Sequence, residues 1–77
     1  METYWVSAIV LNDGDKKPRL LAYGSCQLSL KMAMKEIEQV KALFTTLSAW
    51  VDMFDENNVK QTVFHECYVN AFGDIDN

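Results

Sequence analysis

Residues 47–54 read LSAWVDMF, and the fold turns on whether they form a strand or a helix. As a strand, Leu47, Ala49, Val51 and Met53 make one wholly apolar face, with Trp50, Asp52 and Phe54 opposite. As a helix, Leu47, Trp50, Val51 and Phe54 match a three-four-seven spacing equally well. The flanking sequence favours the strand. Asp55-Glu56-Asn57-Asn58 is turn-like, and residues 59–69 (VKQTVFHECYV) are rich in β-branched and aromatic side chains. Two strand-like runs joined by turn residues predict a hairpin.

Upstream of this hairpin the pattern changes period. Leu30, Ala33, Met34, Ile37, Val40 and Phe44 recur at three- and four-residue spacing, with Lys31, Lys35, Glu38 and Gln39 opposite. This predicts a helix from Leu30 that frays near Thr45 and Thr46. Ser29 is the better N-cap candidate and Ser25 the weaker, since a hydroxyl there accepts from a free N–H of the first turn. Residues 3–11 (TYWVSAIVL) read as a strand that is apolar on both sides. Tyr4, Val6, Ala8 and Val10 form one set; Trp5, Ile9 and Leu11 form the other. Asn12-Asp13-Gly14-Asp15 supplies turn chemistry, and residues 19–25 read as a second strand.

The predicted order is β-β-α-β-β. It implies an α+β domain over residues 1–77: a single four-stranded, mainly antiparallel sheet with one helix on one face. Residues 73–77 read as a loose acidic tail.

Composition limits what such a domain does. A core drawn from 77 residues rarely supplies more than ~3–5 kcal/mol without a disulfide, a metal or a partner subunit. Cys26 and Cys67 allow one bridge at most, and small secreted scaffolds are usually denser in cysteine. The first ten residues carry Glu2 and no basic run, and their apolar stretch is interrupted by Ser7, so no secretory signal is read. No stretch reaches the ~18 apolar residues of a membrane span. The expectation is a cytoplasmic protein with reduced thiols and no membrane contact. The net charge of −4 is uneven: residues 1–41 sum to +1 and residues 42–77 to −5. The acidic half repels phosphate, which disfavours direct nucleic-acid binding.

One helix covers one face of a sheet, so the other face becomes the candidate site. If the small aliphatic side chains turn toward the helix, Trp50, Phe54, Phe64 and Tyr68 are left on the open face. The first strand then adds either Trp5 and Ile9 or Tyr4 and Val6. An exposed aromatic patch of that size marks an interface.

Other clusters are weaker. In His65-Glu66-Cys67, the histidine and cysteine share one side of a strand at a backbone spacing of ~6.5–7 Å, poor for a nucleophile pair. Zinc would need a third ligand, with Cys26 converging. Asn12–Asp15 fails as a calcium loop, because alignment on Gly14 puts Ile9 at the first ligand position. Lys16, Lys17 and Arg19 form a small basic tip, and Met32 faces away from the apolar stripe. Asp52, Asp55, Glu56, Asp74 and Asp76 are a candidate acidic surface.

The expected function is a small non-catalytic protein–protein interaction module, homodimeric through the open aromatic face, with no cofactor and no metal. Two alternatives stand beside it. One is an acidic inhibitor or decoy, of the phage or mobile-element type, that occupies a partner's basic nucleic-acid-binding surface. The other is a small-ligand binder with an aromatic pocket.

Overall fold

The computed structural model describes residues 1–12, 14–22 and 26–68. They form β1 (Thr3–Val10), β2 (Arg19–Ala22), α1 (Leu30–Leu43), β3 (Thr46–Phe54) and β4 (Lys60–Cys67). Residues 47–54 are therefore strand. The four strands make one sheet in the order β2-β1-β3-β4, and every neighbouring pair is antiparallel. The helix lies across β1 and β3. Residues 23–25 of the expected second strand, and the expected tail at 73–77, lie outside the described residues.

Local chemistry accounts for each element. The Ser29 hydroxyl accepts from the Met32 N–H at 3.2 Å, capping α1. At its other end the Phe44 N–H donates to the Val40 carbonyl at 2.8 Å, and Lys41 sits in the last turn, where a cation suits the helix dipole. Asn12 ties the first hairpin to the end of the helix. Its side-chain oxygen accepts from the Thr45 N–H at 3.1 Å, while its own N–H donates to Asp15 Oδ2 at 2.9 Å. Gly14 follows with φ of 90°, a conformation that suits glycine. Beyond the short β2, the lower part of β1 pairs through a two-way bridge between Tyr4 and Gln27, both bonds 2.9 Å. In the second hairpin, Asp55 Oδ1 accepts from the N–H groups of Asn57 (2.8 Å) and Val59 (3.0 Å), and Asn58 takes the left-handed φ of 65°.

The core between helix and sheet is small side chains. Val6, Ala8 and Val10 of β1, Ala33, Ile37 and Val40 of α1, and Ala49 and Val51 of β3 are all buried. The alanines on both sides let the helix approach the sheet closely. Larger groups then close the periphery: Tyr4, Leu21, Met34, Phe44, Val63, Phe64 and Tyr68.

Two bulges set which side chains join this core. Ile9 pairs with Ser48 but Val10 pairs with Thr46, leaving Leu47 as an extra residue. Thr46, not Leu47, thus reaches the buried position beside Val10, its hydroxyl donating to the Phe44 carbonyl at 3.1 Å. Val51 pairs with Phe64 but Asp52 with Thr62, leaving Val63 as the extra residue of β4.

Replacing Ile37 with Ala is expected to lower the unfolding free energy by ~2–5 kcal/mol, and Ser29→Ala by ~1 kcal/mol. Urea denaturation checks both. An Ile37→Ala loss no larger than that of the cap would contradict this packing.

Candidate functional site

Side chains that face each other across a ladder share a face, so the register assigns the surface left open by the helix. From β1 it carries Thr3, Trp5, Ser7 and Ile9, and from β2 Leu20 and Ala22. From β3 it carries Ser48, Trp50, Asp52 and Phe54, and from β4 Lys60, Thr62, His65 and Cys67. Among the described residues, no element packs on this side. Trp5, Ile9, Trp50 and Phe54 are half-buried among their neighbours, and Leu20 is 65% exposed.

Some polar groups of this face are engaged within it. The Thr62 hydroxyl donates to Asp52 Oδ1 at 2.6 Å, and the Trp5 indole N–H donates to the Thr3 hydroxyl at 3.3 Å. His65 meets the Trp50 ring edge-on, with centroids 6.2 Å apart and planes at 71°. The His65 Nε2 to Cys67 Sγ distance is 4.0 Å. Cys26 and Cys67 are both free and exposed.

Two of the four aromatic side chains expected here lie elsewhere. Trp50 and Phe54 are on the open face, but Phe64 and Tyr68 are on the helix side. Phe64 pairs with the buried Val51 and packs on the core, as does Tyr68. The cause is physical. The helix lies over β1 and β3 and stops short of β4. Beside small Ala49 and Val51, only long side chains from β4 reach it. The bulge at Val63 turns Phe64 into that gap, so the aliphatic residue 63 was a misleading guide to the inner side. Trp5 and Ile9, not Tyr4 and Val6, are the contribution of β1 to the open face. Leu20 was missed, although its alternation with Arg19 and Leu21 places it opposite Ile9.

Among the described residues, Asp52, Asp55 and Glu56 have separate roles. Asp52 lies in the open face, Asp55 is spent on its turn, and Glu56 contacts the Met1 ammonium at 3.0 Å. Asp74 and Asp76 lie outside the described residues. At the turn end, a cavity of about 490 Å³ is lined by Met1, Glu2, Leu28, Asp55, Glu56 and Asn57, with no aromatic wall. Lys16 and Lys17 are exposed; Arg19 pairs with Asp15 at 3.4 Å. Met32 is half exposed. Among the described residues, no group of three or more His, Cys, Asp or Glu side chains is placed to hold a metal ion, and no helix is long and apolar enough to cross a membrane.

Compared with protein-family models, curated proteins and solved structures, the chain matches none.

On the helix side, Lys41 Nζ lies 4.6 Å from the centre of the Tyr68 ring. Burial, and then the Glu66 hydrogen bond and the charges of Glu66 and Glu38, push the Tyr68 phenol up to about 12. The folded value lies above the ordinary 10.0. The associated stability is thus fully present below pH 10 and is lost as pH rises toward 12. In an alkaline titration followed by tyrosinate absorbance, Tyr68→Phe is expected to remove the last-titrating phenol. Removal of an early-titrating one would contradict this packing.

Proposed function

We propose that the chain is a non-catalytic protein–protein interaction module that forms a homodimer by packing two open sheet faces together. The observation that carries this reading is the face itself. Trp5, Ile9, Leu20, Trp50 and Phe54 form an apolar surface that no described element covers, and patches of this kind on small proteins mark interfaces. A second copy is the occupant the charge balance favours. The whole chain carries −4, so most of its surface repels a copy of itself. On the open face Asp52 and Lys60 cancel.

The area and the energy are adequate. Strands ~4.8 Å apart with a rise of ~3.4 Å per residue give a four-stranded face of roughly 500 Å². Two such faces bury about 1,000 Å², near the lower bound for a specific interface. Fully burying an aromatic or large aliphatic side chain contributes ~1.5–3 kcal/mol. Even at half that for part-covered groups, five of them offset the lower end of the ~4–15 kcal/mol cost of association. The thin core gives a reason for the arrangement, because a second copy completes the layer that one helix leaves missing. In this reading the module acts in the cytoplasm with both thiols reduced.

Light scattering on a sizing column is expected to give twice the 8.8 kDa chain mass. Trp50→Asp and, separately, Trp5→Ser are expected to give folded monomers by circular dichroism. A wild-type monomer at micromolar concentration, or variants that stay dimeric, would contradict the proposal. Phe64→Glu tests the core instead, since Phe64 packs against it.

A further inference from the structure

His65 and Cys67 project from the open face on the edge strand β4, both exposed, with Nε2 and Sγ 4.0 Å apart. Two such ligands on one tetrahedral zinc ion, at Zn–N of ~2.0 Å and Zn–S of ~2.3 Å, lie about 3.6 Å from each other. The pair is therefore half of a zinc site, already close to the required span. Cys26 does not complete it. That residue adjoins Gln27, which bridges Tyr4 on the β2 side of β1, at the opposite edge of the sheet from β4. Among the described residues, no third His, Cys, Asp or Glu is placed with the pair.

A second copy supplies the other two ligands. Two adjacent rows cross the middle of the open face. One is His65, Trp50, Ser7 and Ala22; the next is Cys67, Ser48, Ile9 and Leu20. A two-fold axis between the stacked sheets, running across the strands midway between these rows, lays each row on the partner's other row and keeps the strands aligned. On β3, β1 and β2 a large side chain then lies over a small one. Trp50 covers the partner's Ser48, Ile9 covers the partner's Ser7, and Leu20 covers the partner's Ala22. Large opposite small is the arrangement that lets facing layers interdigitate. Trp5, one row further out, comes over the level of the partner's Leu11, which continues β1 through its bond to Thr45. The axis so placed centres the contact on Trp50 and Ile9 and leaves Phe54 at the rim. At its β4 end, His65 faces the partner's Cys67 and Cys67 faces the partner's His65. Sheets ~10 Å apart put an ion on the axis ~5 Å from each backbone layer, within reach of both kinds of side chain. We infer that two copies share one zinc ion on the two-fold axis, held by His65 and Cys67 of each. Two nitrogens and two sulfurs in a tetrahedron suit zinc and not calcium or magnesium. Four protein ligands leave no open position, so the ion is structural and clamps the edge of a thin domain.

This inference rests on the homodimer reading, and metal titration separates the two. Cobalt(II) added to the metal-free chain is expected to give the intense visible absorption of a tetrahedral thiolate site, saturating at one metal per two chains and bleached by zinc. Zinc at a hundred times its dissociation constant is expected to tighten dimerisation roughly a hundredfold by linkage, read as the dimer midpoint in light scattering over a dilution series. Cys67→Ser and, separately, His65→Ala are expected to abolish both effects, while their metal-free dimers match the metal-free wild type. Cys26→Ser is expected to change neither effect. A wild-type chain that is monomeric with and without zinc overturns the homodimer reading and this inference with it. A wild-type dimer that binds no cobalt, binds one per chain, or binds it undiminished after Cys67→Ser overturns the shared site and leaves the dimer standing.

Discussion

A fourteen-residue helix laid across two strands dries one side of a sheet and not the other. Everything else in this molecule follows from that shortage of layers. β1 is apolar on both sides, so its inward set, Val6, Ala8 and Val10, makes the core with α1, while Trp5 and Ile9 face outward with no described element above them. The inner side chains are small, which brings the helix close but keeps the buried volume low. The two tryptophans, the bulkiest side chains in the chain, are both on the uncovered side. A protein that invested its largest apolar groups in its own core would place them under the helix.

The element order was readable from local chemistry alone. Apolar spacing located the helix and Ser29 its start. The Asp55–Asn58 turn chemistry selected strand over helix for residues 47–54, and the Asp55 carboxylate indeed holds that turn through two backbone N–H groups. These signals sit within a few residues of the structure they specify, so a sequence pattern carries them.

The face assignment of β4 was not readable in the same way. Strict alternation from Val63 puts Phe64 and Tyr68 outside, and the bulge at Val63 puts them inside. A bulge is a property of two strands paired in one register, and its cause here is the gap beside Ala49 and Val51 that the helix does not fill. The same logic moved Thr46 into the core in place of Leu47. Of the residues expected at the interface, Trp50 and Phe54 keep their place on the open face. Trp5, Ile9 and Leu20 join them.

The account's central claim is that a second copy covers the face bearing Trp5 and Trp50. Both indoles report on it, since the chain has two tryptophans and both lie there. The most direct measurement is tryptophan emission over a dilution series from high micromolar to nanomolar concentration, with far-ultraviolet circular dichroism recorded alongside. The claim requires emission to shift to longer wavelength on dilution, at a midpoint set by the dimer dissociation constant, while the dichroism stays constant. Emission that does not move across the series would contradict it.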